Sequence, residues 1–319
     1  MSQPASEIVS LADIRAAAER VAPYVFHTPV VPMVPSGIGL KAENLQPVGA
    51  FKIRGAFNAI LSLSEEERKG GVIAHSSGNH AQAVAYAAHM VGVKAVIVMP
   101  DNAPAVKLEA TQRWGAEIHL VSFMGNARYE VCAELANRHG YVVIPPFDSA
   151  AIIAGTGTIG LEILAQKSDI AAVYVPVSGG GLISGIAAAI RQSNPAIRVI
   201  GVEPELANDA KLSFRADHLV CVPPEQTVRT IADGLRVSQL GELPWRHIRA
   251  YVDDIVTVTE EQIRGAMRRI AREARLVAEP SGAVAAAAAL ARAEKPECAV
   301  AIVSGGNVDP QLYASIIGS

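Results

Sequence analysis

The chain has 319 residues, of which 50% are hydrophobic and 18% are charged, and its formal net charge is −3 at pH 7. That length is enough to bury a large core, and it favours two domains or one large one. The sequence contains no basic run or basic stripe that could neutralise nucleic-acid phosphates. The composition therefore favours an enzyme that acts on small molecules.

Cysteine usage and the N-terminal sequence bear on the cellular compartment. Cys132, Cys221 and Cys298 are far apart and odd in number, so neither a disulfide framework nor a structural zinc site is expected. Residues 1–10 lack the basic-then-apolar pattern of a signal peptide. Because no apolar run reaches the roughly 18 residues of a membrane span, we predict a cytoplasmic protein.

Short apolar runs alternate with longer amphipathic segments along the chain. Strands are predicted at 72–74, 95–99, 117–121, 173–177, 199–202 and 299–303, with helices at about 81–90, 105–114 and 182–191. Continuous Val, Ile and Ala runs are typical of parallel strands that are buried on both faces. The pattern predicts an α/β fold whose parallel sheets are flanked by helices.

Three polar loops directly follow predicted strands. They are Ser76–His80, Ser178–Gly181 and Ser304–Asn307. In open parallel sheets, ligands bind just beyond the carboxyl ends of the strands. The three loops are therefore expected to share one site.

The glycine loop Ser178-Gly179-Gly180-Gly181-Leu182 lies between a strand and a helix. Glycines let the backbone approach a phosphate group, and a helix N-terminus points free N–H groups at it. The loop is neither a P-loop nor the spaced glycine pattern of dinucleotide-binding folds. The alternative interpretation is a tight turn required only for close packing.

Lys52 stands between Phe51 and Ile53, in a locally apolar setting before a helical segment. Burial lowers the pKa of a lysine and makes its amine nucleophilic. Together with a phosphate loop, such a lysine suggests pyridoxal phosphate as the cofactor. The alternative is an ordinary surface lysine.

Four segments resemble those of fold type II pyridoxal-phosphate enzymes, and they occur in the family's order across about residues 12–310. Asn44-Leu45-Gln46 followed by Phe51–Ala56 resembles the cofactor-lysine segment. The other three are similar to the asparagine loop, the phosphate loop and the segment whose serine meets the pyridine nitrogen. The asparagine loop reads Ser-Ser-Gly-Asn-His, which is similar to serine/threonine dehydratases, hydroxyaspartate dehydratases and serine racemases rather than to cysteine synthases.

The resemblance implies a tryptophan-synthase-β-like fold with two domains. The large cofactor-binding domain is expected to comprise residues 1–64 and 149–319, and the small inserted domain residues 65–148. It also implies a homodimer. Because the chain ends shortly after Ser304, no C-terminal regulatory domain is expected.

The resemblance also assigns roles in catalysis and cofactor binding. Lys52 links to the cofactor and exchanges protons at the substrate α-carbon, and Ser77 lies on the opposite face of the substrate. Asn79 hydrogen-bonds the ring hydroxyl, and Ser304 meets the ring nitrogen. The full implied cofactor set is Lys52, Phe51, Asn79, Ser178, Gly179, Gly180, Gly181, Leu182 and Ser304.

The implied substrate contacts come from the asparagine loop and from one arginine. Backbone N–H groups of the loop bind the substrate carboxylate, and the residues involved are Ser76, Ser77, Gly78, Asn79 and His80. Arg128 closes on a distal carboxylate, which suits a guanidinium group. The alternative for Arg128 is a solvated helix arginine.

A divalent-ion site is implied at residues 203–209. The carboxylates of Glu203 and Asp209 and the carbonyl of Ala207 would bind Mg²⁺, or Ca²⁺ or Mn²⁺, because these ions prefer oxygen ligands. The role expected for the ion is structural. The alternative is a solvated acidic loop.

The sequence departs from the family pattern at several positions. Ala50 replaces a serine, and Ser178 replaces the first glycine of the phosphate loop. Phe147 and Val237 stand where serine racemase has substrate-side polar residues, which favours a dehydratase. The segment 28–40 is shorter than usual, so nucleotide activation is not carried over.

We therefore predict a dehydratase that converts a β-hydroxy amino acid, such as threonine, serine or 3-hydroxyaspartate, to a 2-oxo acid and ammonia. The main alternative is a racemase that uses Lys52 and Ser77. Two further alternatives are less well supported. The His80 loop argues against β-replacement, and the presence of Lys52, Ser77 and Asn79 together argues against a non-enzymatic role.

Overall fold

The computed structural model describes residues 8–76, 78–103, 105–122 and 127–318. Their strands, in chain order, are β1 (Val30–Pro32), β2 (Gly39–Ala42), β3 (Val72–His75), β4 (Ala95–Pro100), β5 (Glu117–Val121), β6 (Val142–Val143), β7 (Ala172–Pro176), β8 (Arg198–Pro204), β9 (Asp254–Val258) and β10 (Ala299–Val303). They form a six-stranded sheet, ordered β1-β2-β10-β7-β8-β9, and a four-stranded sheet, ordered β5-β4-β3-β6.

Neighbouring strands pair in parallel in both sheets, except for the antiparallel pair β1–β2. Every residue of β4 and β10 is buried, as expected for strands covered on both faces. The predicted α/β architecture with parallel sheets is confirmed. The smaller sheet draws its strands from residues 72–143, while the domain boundaries at 64/65 and 148/149 stay a prediction.

Helices cover the sheets. They are α1 (Leu11–Val21), α2 (Lys52–Leu61), α3 (Glu65–Gly70), α4 (Asn79–Met90), α5 (Ala105–Gln112), α6 (Ala127–His139), α7 (Ala150–Gln166), α8 (Gly181–Ser193), α9 (Asp209–Ala216), α10 (Pro224–Thr227), α11 (Glu242–Tyr251), α12 (Glu260–Arg269), α13 (Pro280–Arg292) and α14 (Pro310–Ile317). Short 3₁₀ segments occur at Glu43–Leu45, Asp233–Leu235 and Pro296–Cys298, and a π turn at Ile270–Ala274. No helix within the described ranges is long and apolar enough to cross a bilayer.

Two helices begin earlier than the sequence pattern predicts. Helix α4 begins at Asn79 rather than at residue 81, because Gly78 is the last residue before it with a non-helical backbone conformation. Helix α8 begins at Gly181, directly after Gly180, whose φ of +93° favours glycine. Residues expected in loops therefore occupy the first turns of helices.

Close packing against α7 sets the distance between α2 and α8. A Cβ atom on Gly155 of α7 would lie 2.5 Å from the carbonyl oxygen of Arg54 in α2. A Cβ atom on Gly185 of α8 would lie 2.3 Å from the carbonyl oxygen of Ile153 in α7. Only glycine permits these backbone approaches. Helix α7 therefore holds the helix that begins with Lys52 beside the helix that follows the glycine loop.

A buried network of ion pairs ties α2 to its surroundings. The guanidinium of Arg54 donates to both carboxylate oxygens of Glu43, at 2.8 and 2.9 Å, and to those of Glu162, at 2.6 and 2.9 Å. Lys41 donates to Glu162 at 2.5 Å. The side chains of Arg54 and Glu43 are both fully buried. Two positive and two negative groups therefore compensate one another in a largely buried setting.

We predict that replacing this guanidinium strongly destabilises the protein. Arg54→Met leaves the buried Glu43 carboxylate without its partner, and removing one member of a buried pair costs about 3–5 kcal/mol. The free energy of unfolding in urea measures the effect. Arg138→Met is the matched control, because Arg138 pairs with Glu134 on an exposed helix face and such pairs contribute less than about 1 kcal/mol. Equal losses in the two variants would contradict the prediction.

Candidate active site

Lys52 is the first residue of α2, and its amine donates to the carbonyl oxygen of Pro146 at 2.7 Å. The residue is half-buried, but its amine is surrounded by protein. Desolvation by burial lowers the pKa of Lys52 to about 8. The Phe51 ring centroid lies 5.1 Å from the same amine. A lysine in this state offers a neutral nucleophile for an aldehyde near physiological pH.

The glycine loop presents unpaired hydrogen-bonding groups. No side chain caps the N-terminus of α8. The Ser178 hydroxyl oxygen is buried and has no hydrogen-bond partner among the described residues. Buried polar atoms are nearly always paired, so this hydroxyl indicates a missing partner. A phosphate group at the start of α8 would accept from it and from the free N–H groups, so the loop fits the implied cofactor.

Phe147 packs against the glycine loop. A Cβ atom on Gly179 would lie 2.3 Å from Cδ1 of the Phe147 ring, and one on Gly181 would lie 2.9 Å from its Cα. Phe147 directly follows Pro146, which accepts from Lys52. The residue that departs from the family pattern therefore packs an apolar ring against the glycine loop.

The side chain of Leu182, unlike the glycines before it in the motif, belongs to the apolar core. It is buried there with Val175 and Ile183. A contact between Leu182 and the cofactor is therefore limited to its backbone.

The side chain of Asn79 is held at both ends. Its amide nitrogen donates to Oε1 of Glu279 at 2.6 Å, and its oxygen accepts from Nδ2 of Asn307 at 2.8 Å. Asn307 also donates to the carbonyl oxygen of Val48. Asn79 begins α4, which follows β3 of the smaller sheet. Glu279 directly precedes α13, and Asn307 follows β10 of the larger sheet. These contacts join the asparagine loop to the larger sheet.

The rest of the asparagine loop is described except for one residue. Ser76 accepts from the Gly78 N–H at 3.2 Å, while Ser77 lies outside the described residues. His80 is buried and contacts the Ile144 carbonyl at 2.9 Å. Burial, and then the charge of Lys52, lower the pKa of His80 to about 3. A neutral, hydrogen-bonded His80 ring fixes the loop rather than exchanging protons near pH 7.

Glu279 is a site residue that the sequence analysis missed. It is buried, and burial followed by the charge of Asp233 raises its pKa to about 8. A Cβ atom on Gly305 would lie 2.2 Å from Oε1 of Glu279, so the glycine leaves room for this carboxylate. A lone acidic residue before Pro280 and the alanine-rich α13 is the signal that could have identified it.

Ser304 directly follows β10 and lies next to the lysine segment. Its carbonyl oxygen accepts from the Phe51 N–H at 3.0 Å, and an isolated bridge pairs Ala50 with Gly305. The Ser304 hydroxyl is buried and makes one long hydrogen bond of 3.5 Å, to the carbonyl oxygen of Ser281. Because this hydrogen bond is long, the Ser304 hydroxyl is available to bond the pyridine nitrogen of the implied cofactor.

Arg128 is in the first turn of α6 and lies near His75, the last residue of β3. Its guanidinium is 4.9 Å from the Tyr129 ring centroid and donates to the Tyr129 hydroxyl at 3.2 Å. The same ring lies 4.4 Å from that of His75, whose pKa is lowered to about 4 by burial and by the charge of Arg128. Arg128 therefore borders the asparagine loop through His75.

Glu203 and Asp209, the two carboxylates of the predicted metal site, lie close together. Glu203 accepts from the N–H groups of Ala210 and Lys211, at 3.0 and 2.8 Å. Asp209 is buried, and its Oδ2 atom has no partner among the described residues. Burial and the neighbouring Asp209 raise the pKa of Glu203 well above its usual value, and burial raises that of Asp209 to about 7.

The described ranges contain no group of three or more His, Cys, Asp or Glu side chains placed to hold a metal ion. The predicted set has only two carboxylates, and its third ligand is the backbone carbonyl of the buried Ala207. An unpaired buried carboxylate oxygen beside a second carboxylate is an arrangement that a bound cation would satisfy.

The comparisons with known proteins agree with these features. Residues 19–305 match the family model described as pyridoxal-phosphate dependent enzyme. The chain is 42% identical to L-threo-3-hydroxyaspartate ammonia-lyase of Saccharomyces cerevisiae, covering 96% of this chain and 95% of the yeast protein. It is 45% identical to L-threonine ammonia-lyase of Thermotoga maritima, covering 88% of this chain and 69% of that protein. The structure of maize serine racemase superposes with a TM-score of 0.91 at 40% identity, covering 98% of both chains.

We predict that covalent attachment of pyridoxal phosphate to the cofactor-free protein depends on pH with a midpoint near 8. Only the neutral amine attacks the aldehyde, and burial lowers the pKa of Lys52 from 10.5 to about 8, so the rate rises as pH increases through that value. Stopped-flow absorbance measures the rate. Lys52→Arg keeps a cation but cannot form the link. A midpoint near 10.5, or an absorbance change that persists in Lys52→Arg, would contradict the assignment.

Proposed function

Because the chain belongs to the family of pyridoxal-phosphate-dependent enzymes, we propose that it catalyses β-elimination of a β-hydroxy amino acid to a 2-oxo acid and ammonia. The observation that carries the proposal is the buried Lys52 amine, with a pKa of about 8, beside a glycine loop that has an unpaired hydroxyl. The similarity to two ammonia-lyases supports this reaction over others of the family.

The residues present fit the cofactor. When bound, pyridoxal phosphate supplies a ring that takes up the electron pair left on the substrate α-carbon. Gly179–Gly181 and the Ser178 hydroxyl would hold its phosphate. Asn79, fixed by Glu279, would donate to the ring hydroxyl. Ser304 would face the ring nitrogen with a neutral group, which favours elimination over transamination.

Lys52 is the base in this proposal. Its amine removes the substrate α-proton, and a pKa of about 8 suits proton transfer near neutral pH. Backbone N–H groups of Ser76–His80 bind the α-carboxylate. The β-hydroxyl leaves as water with the proton that Lys52 took from the α-carbon, and a water molecule then hydrolyses the released enamine to the 2-oxo acid and ammonia.

We favour 3-hydroxyaspartate among the substrates, with threonine and serine as the other members of the class. The yeast relative is named for the threo isomer of 3-hydroxyaspartate. Arg128, beside the asparagine loop, offers a guanidinium for the distal carboxylate. Binding through Arg128 requires its contact with the Tyr129 hydroxyl to be exchanged for the substrate.

Racemisation of serine is the second candidate function. The close superposition on maize serine racemase favours it. It requires an acid on the face of the substrate opposite Lys52, the role that the resemblance gives to Ser77. Phe147 argues for elimination, because it replaces a polar substrate-side residue of serine racemase.

We also propose a structural divalent cation, Mg²⁺, Ca²⁺ or Mn²⁺, held by Glu203, Asp209 and the Ala207 carbonyl. The buried carboxylate pair and the unpaired Asp209 oxygen support it.

A homodimer is proposed as well, supported by the exposed apolar side chains of Leu45 and Val277. The cytoplasmic location stays a prediction.

We expect the purified, cofactor-loaded protein to release a 2-oxo acid from L-threo-3-hydroxyaspartate. A coupled dehydrogenase assay measures release from a panel that also contains L- and D-serine, L-threonine and phenylserine. Lys52→Ala should lose all release, because the base is absent. Arg128→Met should raise KM for 3-hydroxyaspartate about tenfold or more and leave KM for threonine unchanged, since only the former has a distal carboxylate.

The same panel separates the two candidate functions. Ser77→Ala should abolish any racemisation, measured by chiral chromatography, and spare elimination from the L-enantiomer. Racemisation without 2-oxo acid release from any substrate would replace the proposed function with the second one. Release by Lys52→Ala would contradict both.

We expect Mg²⁺, Ca²⁺ or Mn²⁺ to stabilise the protein through Asp209. A ligand at a hundredfold excess over its Kd stabilises the folded state by about 2.7 kcal/mol. Thermal unfolding of EDTA-treated protein, with and without each ion, measures the shift. Asp209→Asn should lose it, whereas Glu205→Gln, an exposed acid in the same turn, should retain it. No shift in the wild-type protein with any of the three ions would contradict the proposed site.

A further inference from the structure

The phosphate loop, Ser178–Gly181, is held in place by contacts with α11. The first turn of α11 lies against it: a Cβ atom on Gly180 would lie 2.7 Å from Cβ of Pro244 and 3.3 Å from Cδ1 of Ile248. The N–H of Gly241, directly before α11, donates to the carbonyl oxygen of Gly179 at 3.1 Å. The position of the loop backbone therefore depends on the N-terminal end of α11.

That helix end has no cap from its own sequence. Gly241, its N-cap residue, has no side chain to accept hydrogen bonds. Asp148, distant in the chain, takes this role. Its Oδ2 atom accepts from the Glu242 N–H and its Oδ1 atom accepts from the Leu243 N–H, both at 3.1 Å. A negative charge at a helix N-terminus is also favourable to the helix dipole.

Asp148 belongs to a short segment that contacts the other parts of the site. Pro146 accepts from the Lys52 amine, and the Phe147 ring lies against Gly179. Gly241 has to be glycine for this arrangement, because a Cβ atom there would lie 2.8 Å from the Asp148 carboxyl carbon. Three consecutive residues thus contact the lysine, the phosphate loop and the helix that supports the loop.

We propose that Asp148 is a positioning residue for the cofactor phosphate: by capping α11 it holds the backbone of Gly179 and Gly180 in the conformation that binds phosphate. In this role Asp148 acts through α11, whose Glu242 and Leu243 N–H groups it accepts from. This role rests on the proposed cofactor site. It implies that loss of the cap weakens binding of the phosphate group and not of the pyridine ring.

The test compares two ligands that differ only in the phosphate. Cofactor-free protein is titrated with pyridoxal phosphate and with pyridoxal, and absorbance gives a Kd for each. Asp148→Ala should weaken binding of pyridoxal phosphate about fivefold, the factor expected for loss of one helix cap, and leave the Kd for pyridoxal unchanged. Asp148→Asn keeps an acceptor oxygen and should stay within about twofold of the wild type.

Asp309→Ala is the matched control. Asp309 is the N-cap residue of α14, and its Oδ1 atom accepts from the N–H groups of Gln311 and Leu312 at 2.9 Å, so it also caps a helix with a carboxylate; α14 packs on α12. It should lower the thermal midpoint as much as Asp148→Ala does, without changing either Kd. A cap that is merely structural would make the two variants equivalent in ligand binding as well.

Two outcomes would overturn the proposal, and they are distinguishable. If the wild type prefers pyridoxal phosphate and Asp148→Ala keeps the same preference, Asp148 does not position the loop. If the wild type binds pyridoxal phosphate no more tightly than pyridoxal, the proposed cofactor site is wrong, and the role of Asp148 fails with it.

Discussion

The buried guanidinium of Arg54 is the constraint on which the site depends. An arginine cannot lose its charge, so its burial requires carboxylates in fixed positions, and Glu43 and Glu162 supply them. These partners lie before α2 and on α7, so the ion pairs hold the lysine helix against α7. Since Lys52 is two residues before Arg54, the same interactions fix the start of α2 and the direction of the reactive amine.

The candidate site lies between two sheets that have no strand in common among the described residues. Polar contacts bridge them: Asn79 bonds Glu279, and Lys107 of α5 pairs with Asp233 at 2.7 Å. The Asp233 charge also raises the pKa of Glu279, which links the two bridges electrostatically. Relative movement of the sheets would therefore change the orientation of the Asn79 side chain.

Much of the fold and of the candidate site was predictable from local signals. Strand runs such as Ala299–Val303 are apolar without alternation, and buried parallel strands require that pattern. Four motifs in a fixed order indicated the family, which the relatives confirm. The acidic residue before Pro280 marks Glu279 but not its partner, and no local signal marks Asp148. Each acts on a partner that is distant in the chain, Asn79 at 200 positions and Leu243 at 95, and no spacing rule spans such separations.

The amino-acid sequence therefore accounts for the chemistry that is local: a lysine in an apolar segment, glycines before a helix, and a serine at the end of a strand. Its order of apolar and polar runs also accounts for the class of the fold. The surroundings of these groups were decided only by the tertiary structure. The Lys52 pKa of about 8, the unpaired Ser178 hydroxyl and the cap on α11 arise only when distant segments exclude water from one another. Desolvation depends on everything that surrounds a group, and the neighbours along the chain are a small part of those surroundings.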